Sequence, residues 1–174
     1  MKKTLITILA TVLVCCCAVG GTLAWLMDKG TVTNTFTVGD IDIDLTEGVD
    51  LDLKIIPGKT IVKDPKVTVY AKSEACWLFV EITEEDWADF LTYELAENWL
   101  ALDGNPGVYY REVDDTEEDQ IFPVLEDNAV VVDENDATKA ALNALNAPKL
   151  VFTAYAVQRE NVDTVAEAWA IAKP

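Results

Sequence analysis

Beyond residue 30 the chain alternates apolar and polar positions with a period of two over most of its length. Val32, Asn34, Phe36 and Val38 share one face, with threonines opposite. Ile41, Ile43 and Leu45 alternate with Asp42 and Asp44, and Val49, Leu51, Leu53 and Ile55 alternate with Asp50, Asp52 and Lys54. Successive side chains of a strand point to opposite faces, so this pattern predicts strands with one buried and one wet face. Gly39-Asp40 and Pro57-Gly58 punctuate them as turns. Further strands are expected over 66–71, 75–82, 108–113, 121–125 and 149–158, with a loop at Asp103-Gly104-Asn105-Pro106-Gly107. Three stretches carry helical signals instead. Glu84-Glu85-Asp86 can open a helix whose Trp87, Phe90 and Leu91 recur at spacings of three and four. Asn135-Asp136 can cap an alanine-rich helix through Leu145, and Thr164 with Glu167 forms a capping box ahead of a last helix toward Ala172. Many short strands with turn punctuation and few helices predict an all-β sandwich or barrel with two or three short helices.

The first 27 residues follow a different rule. Met1-Lys2-Lys3 is cationic, residues 5–19 are apolar, Gly20-Gly21 breaks the run, and Thr22-Leu23-Ala24 follows. A cationic start, an apolar middle and a small-x-Ala exit describe a secretory signal peptide, an N-terminal signal helix that lies outside the fold. Cleavage is expected between Ala24 and Trp25, with Thr22 and Ala24 in the small-residue positions. The alternative is an uncleaved anchor: residues 5–27 carry no charge, enough to cross a hydrocarbon core of roughly 30 Å as a helix. Lys2 and Lys3 would then stay on the cytoplasmic side. Either route leaves the remainder outside the membrane, so the expected organisation is a signal peptide over 1–24 and one secreted domain over 25–174.

Charge narrows the partners. The chain has 13 basic and 31 acidic residues, a net charge of −18. Losing 1–24 removes Lys2 and Lys3, leaving 11 basic against 31 acidic residues, or −20. Such a surface repels nucleic acid and anionic lipid. It also keeps copies of the chain apart at low salt, a repulsion that ions or acid relax. Three of the four cysteines, Cys15, Cys16 and Cys17, fall in the signal segment, where no lipobox is evident. Cys76 alone remains in the domain, so no internal disulfide can form there, and its apolar surroundings Trp77-Leu78-Phe79-Val80 read as those of a buried structural thiol.

Catalytic chemistry has little to work with. There is no histidine and a single serine, Ser73, which excludes Ser-His-Asp, Cys-His and His-Glu-x-x-His constellations. A carboxylate-pair hydrolase is compatible with the residue types, but no pair stands out. The chain therefore reads as a non-enzyme with no cofactor. For a cation, Asp40-x-Asp42-x-Asp44 fails the EF-hand pattern, because Leu45 and Leu51 occupy the sixth and twelfth positions. These aspartates read as a solvated strand face. The acidic run Asp114, Asp115, Glu117, Glu118 and Asp119 is the better metal candidate, since a loop can wrap calcium.

The segment Thr31-Val32-Thr33-Asn34-Thr35-Phe36-Thr37-Val38 is uncharged, free of proline and rich in β-branched residues. It fits an ordinary first strand in its own sheet. It also fits a strand donated to a neighbouring subunit, with Thr31, Val32, Asn34, Phe36 and Val38 setting the register.

Gly20-Gly21-Thr22-Leu23-Ala24-Trp25-Leu26-Met27-Asp28 and Asn34-Thr35-Phe36-Thr37-Val38-Gly39 resemble the export signal and first strand of the TasA/camelysin family of Gram-positive bacteria. Ile56-Pro57-Gly58-Lys59 with Lys63-Asp64 is similar to that family's early turn, and Thr153-Ala154-Tyr155-Ala156-Val157-Gln158 with Ala168-Trp169 to its C-terminal signature. The resemblance implies a jelly-roll-like β-sandwich, export through a SipW-type signal peptidase and a place in the extracellular matrix of biofilms. It further implies fibres in which 25–38 of one subunit completes the next. The metal-dependent protease activity described for camelysin does not carry over to a chain without histidine. The leading expectation is thus a secreted, self-associating matrix protein, touching the membrane only through its signal segment. The alternative is a monomeric surface-binding module that uses the acidic loop and calcium.

Overall fold

A computed structural model describes residues 34–38, 40–48, 55–136, 139–145 and 148–173. The strands are β1 (Asn34–Val38), β2 (Ile43–Glu47), β3 (Thr60–Val62), β4 (Pro65–Val69), β5 (Cys76–Glu85), β6 (Leu91–Leu95), β7 (Leu100–Ala101), β8 (Val108–Val113), β9 (Gln120–Pro123), β10 (Leu125–Val132) and β11 (Lys149–Gln158). Two short helices accompany them, α1 (Lys139–Ala144) and α2 (Val165–Ala172).

The first layer is a five-stranded sheet in the order β1-β11-β5-β8-β7. Its spine is the antiparallel pair β11 and β5, in register from Lys149 opposite Glu85 to Gln158 opposite Cys76. The second layer comprises β2-β4-β9 and β3-β10-β6. These are two halves of one bent layer: Val124 N donates to Pro65 O at 2.9 Å and Lys63 N donates to Asn128 O at 2.8 Å, carrying the β3/β4 and β9/β10 ladder across the break. The bend falls where β10 bulges against β6, between Leu125 and Val130. Asp127 and Asn128 take left-handed backbone angles there (φ 52° and 53°), which short polar side chains tolerate best after glycine.

Alternate residues of the two layers meet in the main core. Leu78, Val80 and Ile82 of β5, with Phe152, Ala154 and Ala156 of β11, face Val67, Val69, Leu125, Val130 and Val132. The opposite face of the first sheet is covered too. Phe79, Tyr155 and Val157 pack with Ala168 and Trp169 of α2 in a second cluster. That double coverage explains why β5 and β11 read as near-continuous apolar runs, while β2 alternates. Ile41, Ile43 and Leu45 are buried, whereas Asp40 and Asp42 are exposed and Asp44 is half-buried.

The expected all-β, sandwich-like architecture is present, with the first strand beside the last as in a jelly roll. One departure is that β1 runs parallel to β11. A correction concerns residues 84–91, which form no helix. Glu84 and Glu85 extend β5 opposite Leu150 and Lys149, and Lys149 Nζ pairs with Glu85 at 2.8 Å. Asp86 then takes a positive φ of 48° and the chain turns into β6. Competition from a neighbouring strand outweighed the local helix signal. The strands β3, β6 and β7 lie outside the expected ones, and the stretch 121–125 spans the break between β9 and β10. The signal segment and residues 49–54 of an expected strand lie outside the described residues.

Gly107 is required by geometry. At φ +80° an added Cβ would lie 2.7 Å from Ile82 O, the residue whose N–H donates to Gly107 O at 2.8 Å. Gly104 has φ +77° and nothing within 4 Å. Gly107→Ala should therefore destabilise the domain more than Gly104→Ala, which pays only about 1 kcal/mol for its backbone angle. Urea unfolding of the two variants measures the difference.

Candidate functional site

β1 occupies the edge of the five-stranded sheet, with β11 as its one ladder partner among the described residues. The pairs run from Asn34 opposite Thr153 to Val38 opposite Val157. Of the residues expected to set a donated strand's register, Asn34, Phe36 and Val38 therefore stand on this edge, while Thr31 and Val32 lie outside the described residues. So do Thr22, Ala24 and Trp25 of the expected cleavage point. Within a single chain β1 completes its own sheet. An edge strand is also the element that two copies can exchange at least cost, because each copy regains the pairing it gives up.

α2 braces the outer face of the same sheet. Thr164 Oγ1 accepts from Glu167 N at 3.2 Å and Glu167 Oε2 accepts from Thr164 N at 3.2 Å, the reciprocal capping box read from the sequence. Trp169 Nε1 donates to Asn105 Oδ1 at 3.1 Å. At the far end Lys173 Nζ reaches Glu81 at 2.6 Å, and Tyr155 Oη donates to the same carboxylate at 2.9 Å. Burial and this hydrogen bond push the Tyr155 phenol up to about 12. Cys76 is fully buried, as expected, and burial pushes its thiol up to about 12 while Arg159 pulls weakly the other way. A thiol so held carries no nucleophilic chemistry at neutral pH.

The acidic run between β8 and β9 is dispersed. Asp114 Oδ1 accepts from Arg159 at 3.0 Å, and Asp119 Oδ1 accepts from Ala71 N at 2.9 Å. Asp115, Glu117 and Glu118 are exposed. Among the described residues no group of three or more acidic or cysteine side chains is placed to hold a metal ion. The loop is instead fastened to its neighbours, with Lys72 N donating to Thr116 O at 2.8 Å.

Two features had no clear signal in the sequence. Arg111, on the inner face of β8, has its guanidinium 4.0 Å from the Phe122 ring centroid and 5.4 Å from that of Trp99. Its Nε is buried without an acceptor, and burial lowers its pKa. The other feature is a cleft of about 730 Å³ between the β5–β6 turn and α1, lined by Trp87, Phe90 and Leu145 with Asp86, Asp89 and Asp136. Trp87 is held there by its Nε1 donating to Leu91 O at 2.8 Å and by an edge-on contact with Tyr93. The spacing of Trp87, Phe90 and Leu91 that predicts a helix belongs instead to a turn, with Leu91 opening β6.

Residues 1–71 match the family model of the camelysin metallo-endopeptidases. The match takes in the signal-like segment and β1 to β4 and is consistent with the resemblance to the TasA/camelysin family over the front of the chain. The C-terminal signature at 153–158 and 168–169 lies beyond it. No curated protein and no solved structure matches the chain. The camelysin family is associated with secretion or the cell surface. No helix among the described residues is long and apolar enough to cross a membrane. The family's description calls for a catalytic metal, and the donor set does not fit one: the chain has no histidine, and its described carboxylates do not converge.

Raised acid pKa values set a pH dependence. Unfolding returns Cys76 and Tyr155 to ordinary values of 9.0 and 10.0. Between these and about 12 the folded state holds protons that the unfolded state has lost. Stability should therefore be unaffected by these groups below pH 9 and fall as pH rises from 9 to 12, by up to about 1.4 kcal/mol per pH unit for each group. Denaturant titrations of the native chain and of Cys76→Ala measure this, the variant showing the shallower fall.

Proposed function

We propose that this chain is a secreted structural subunit of an extracellular matrix, joined to its neighbours by exchange of β1. The observation that carries the reading is the position of β1, an uncharged Asn-Thr-Phe-Thr-Val strand on the edge of the sheet beside β11. Support for export and matrix residence comes from the camelysin family match over residues 1–71. In this reading a signal peptidase cuts after Ala24 during export and frees the segment that leads into β1. One subunit's β1 then fills the edge of β11 in the next, so backbone hydrogen bonds supply the affinity and the threonine/apolar alternation supplies the register. The processed chain's charge of 11 basic against 31 acidic residues, or −20, opposes close approach, and salt at 0.1 M screens it over about 10 Å. Assembly then waits for both processing and an ionic environment outside the cell.

The chain 25–174 should form filaments visible by electron microscopy as salt is raised, and a version starting after Val38 should not. Thr35→Pro with Phe36→Pro is the sharper variant. Neighbouring residues of a parallel strand point their N–H groups to opposite sides, so one of the two prolines must remove a donor to β11. Filaments should be lost while the far-ultraviolet circular dichroism of the monomer stays β-rich. Persistence of filaments in the double variant would show that another surface joins the subunits. A native chain that stays monomeric across salt and pH would end the fibre reading altogether.

A further inference from the structure

The cleft between the β5–β6 turn and α1 lies at the end of the sandwich from which the chain enters β1. Glu85, at the end of β5, pairs with Lys149, the first residue of β11, and Asp86 to Phe90 of the cleft follow directly. β1 is parallel to β11 and begins opposite Thr153. Asn34, the start of β1, therefore lies toward the Lys149 end. Thr153 is four residues into β11 from Lys149, about 13 Å at strand rise. Trp25 is nine residues upstream of Asn34 and reaches about 30 Å when extended. The cleft lies within that radius.

Its chemistry suits that segment. Trp87, Phe90 and Leu145 make an apolar lining, and Asp86, Asp89 and Asp136 make it acidic. The carboxylates of Asp89 and Asp136 have no hydrogen-bond or ion-pair partner among the described residues, and both residues are exposed. Lys149, at this end of β11, is paired with Glu85. After cleavage at Ala24 the chain begins Trp25-Leu26-Met27-Asp28-Lys29, an ammonium group followed by three apolar side chains and then a lysine. We propose that this cleft is the docking site for the processed amino terminus, with Trp25–Met27 against the apolar lining and the terminal ammonium among the carboxylates. The site belongs to whichever copy's sheet the β1 in question completes, so in an exchanged assembly it receives the neighbour's terminus. The inference rests on the cleavage and strand-exchange reading above and adds an anchoring pocket to it.

Disulfide trapping in the chain 25–174 tests the proposal. Met27→Cys is combined with Ala144→Cys, an exposed position lining the cleft. The control combines Met27→Cys with Glu117→Cys, in the loop after Val113, which pairs with Cys76 at the opposite end of β5. Cys76 is buried and does not compete. The Ala144 pair should cross-link at least about tenfold faster under mild oxidation, because docking raises the effective concentration of the two thiols. Asp89→Asn with Asp136→Asn should slow that cross-link about threefold at low salt, the scale of exposed ion pairs. Equal rates for the Ala144 and Glu117 pairs overturn the docking site, and a rate insensitive to the two Asn substitutions overturns its electrostatic basis. The mass of the product separates this inference from the one beneath it. Cross-linking between chains supports both; cross-linking only within one chain, without filaments, leaves the docking site standing and removes strand exchange. Filaments without the cross-link do the reverse.

Discussion

Every other part of this domain leans on the pairing of β11 with β5. The two strands run in register over their full length; the inner face of the ribbon is buried against the second layer, and its outer face is covered by α2 around Phe79, Tyr155 and Val157. Phe79, Leu78, Val80, Phe152, Ala154 and Ala156 are almost wholly removed from water. A slip of one residue would turn the main-core side chains outward and bring Glu81, Thr83 and Glu85 of the outer face into the core. β1, β8, α2 and the second layer each take their position from it.

Much of this was legible in the residues. β8 and β11 fall where the apolar runs predict them, and the capping box at Thr164 and Glu167 closes α2 as read. The acid-faced strand at Ile43 to Glu47 buries Ile43 and Leu45, leaving Asp44 half-buried and Asp42 exposed ahead of it. What escaped notice has a common cause. Whether Glu84 and Glu85 begin a helix or finish a strand depends on a partner, Lys149, more than sixty residues away. The strands β3 and β7, of three and two residues, are too short for a period to show, and with β6 they exist through ladders supplied by β10 and β8.

The candidate site was legible in a different way. Composition singled out 31–38 as an uncharged strand in a strongly acidic chain, and the fold places its described part on a sheet edge. Nothing in the spacing of Trp87 and Phe90 could reveal that the turn carrying them faces α1, since the two elements are distant in sequence and meet only through the layout of the sheet. The acidic run after Val113 shows the converse. Its density suggested convergence, yet Asp114 and Asp119 are drawn to Arg159 and Ala71, partners on separate elements.

The parallel lie of β1 on β11 has an architectural meaning. A strand lent in this sense always points the same way along its host, and donor and acceptor surfaces on one subunit are different. Two copies that trade strands reciprocally close as a dimer; a strand passed on in one direction joins unlike surfaces and repeats head to tail. A polymer built so would be polar, with one end offering a vacant slot and the other a spare strand, and growth would be decided separately at each.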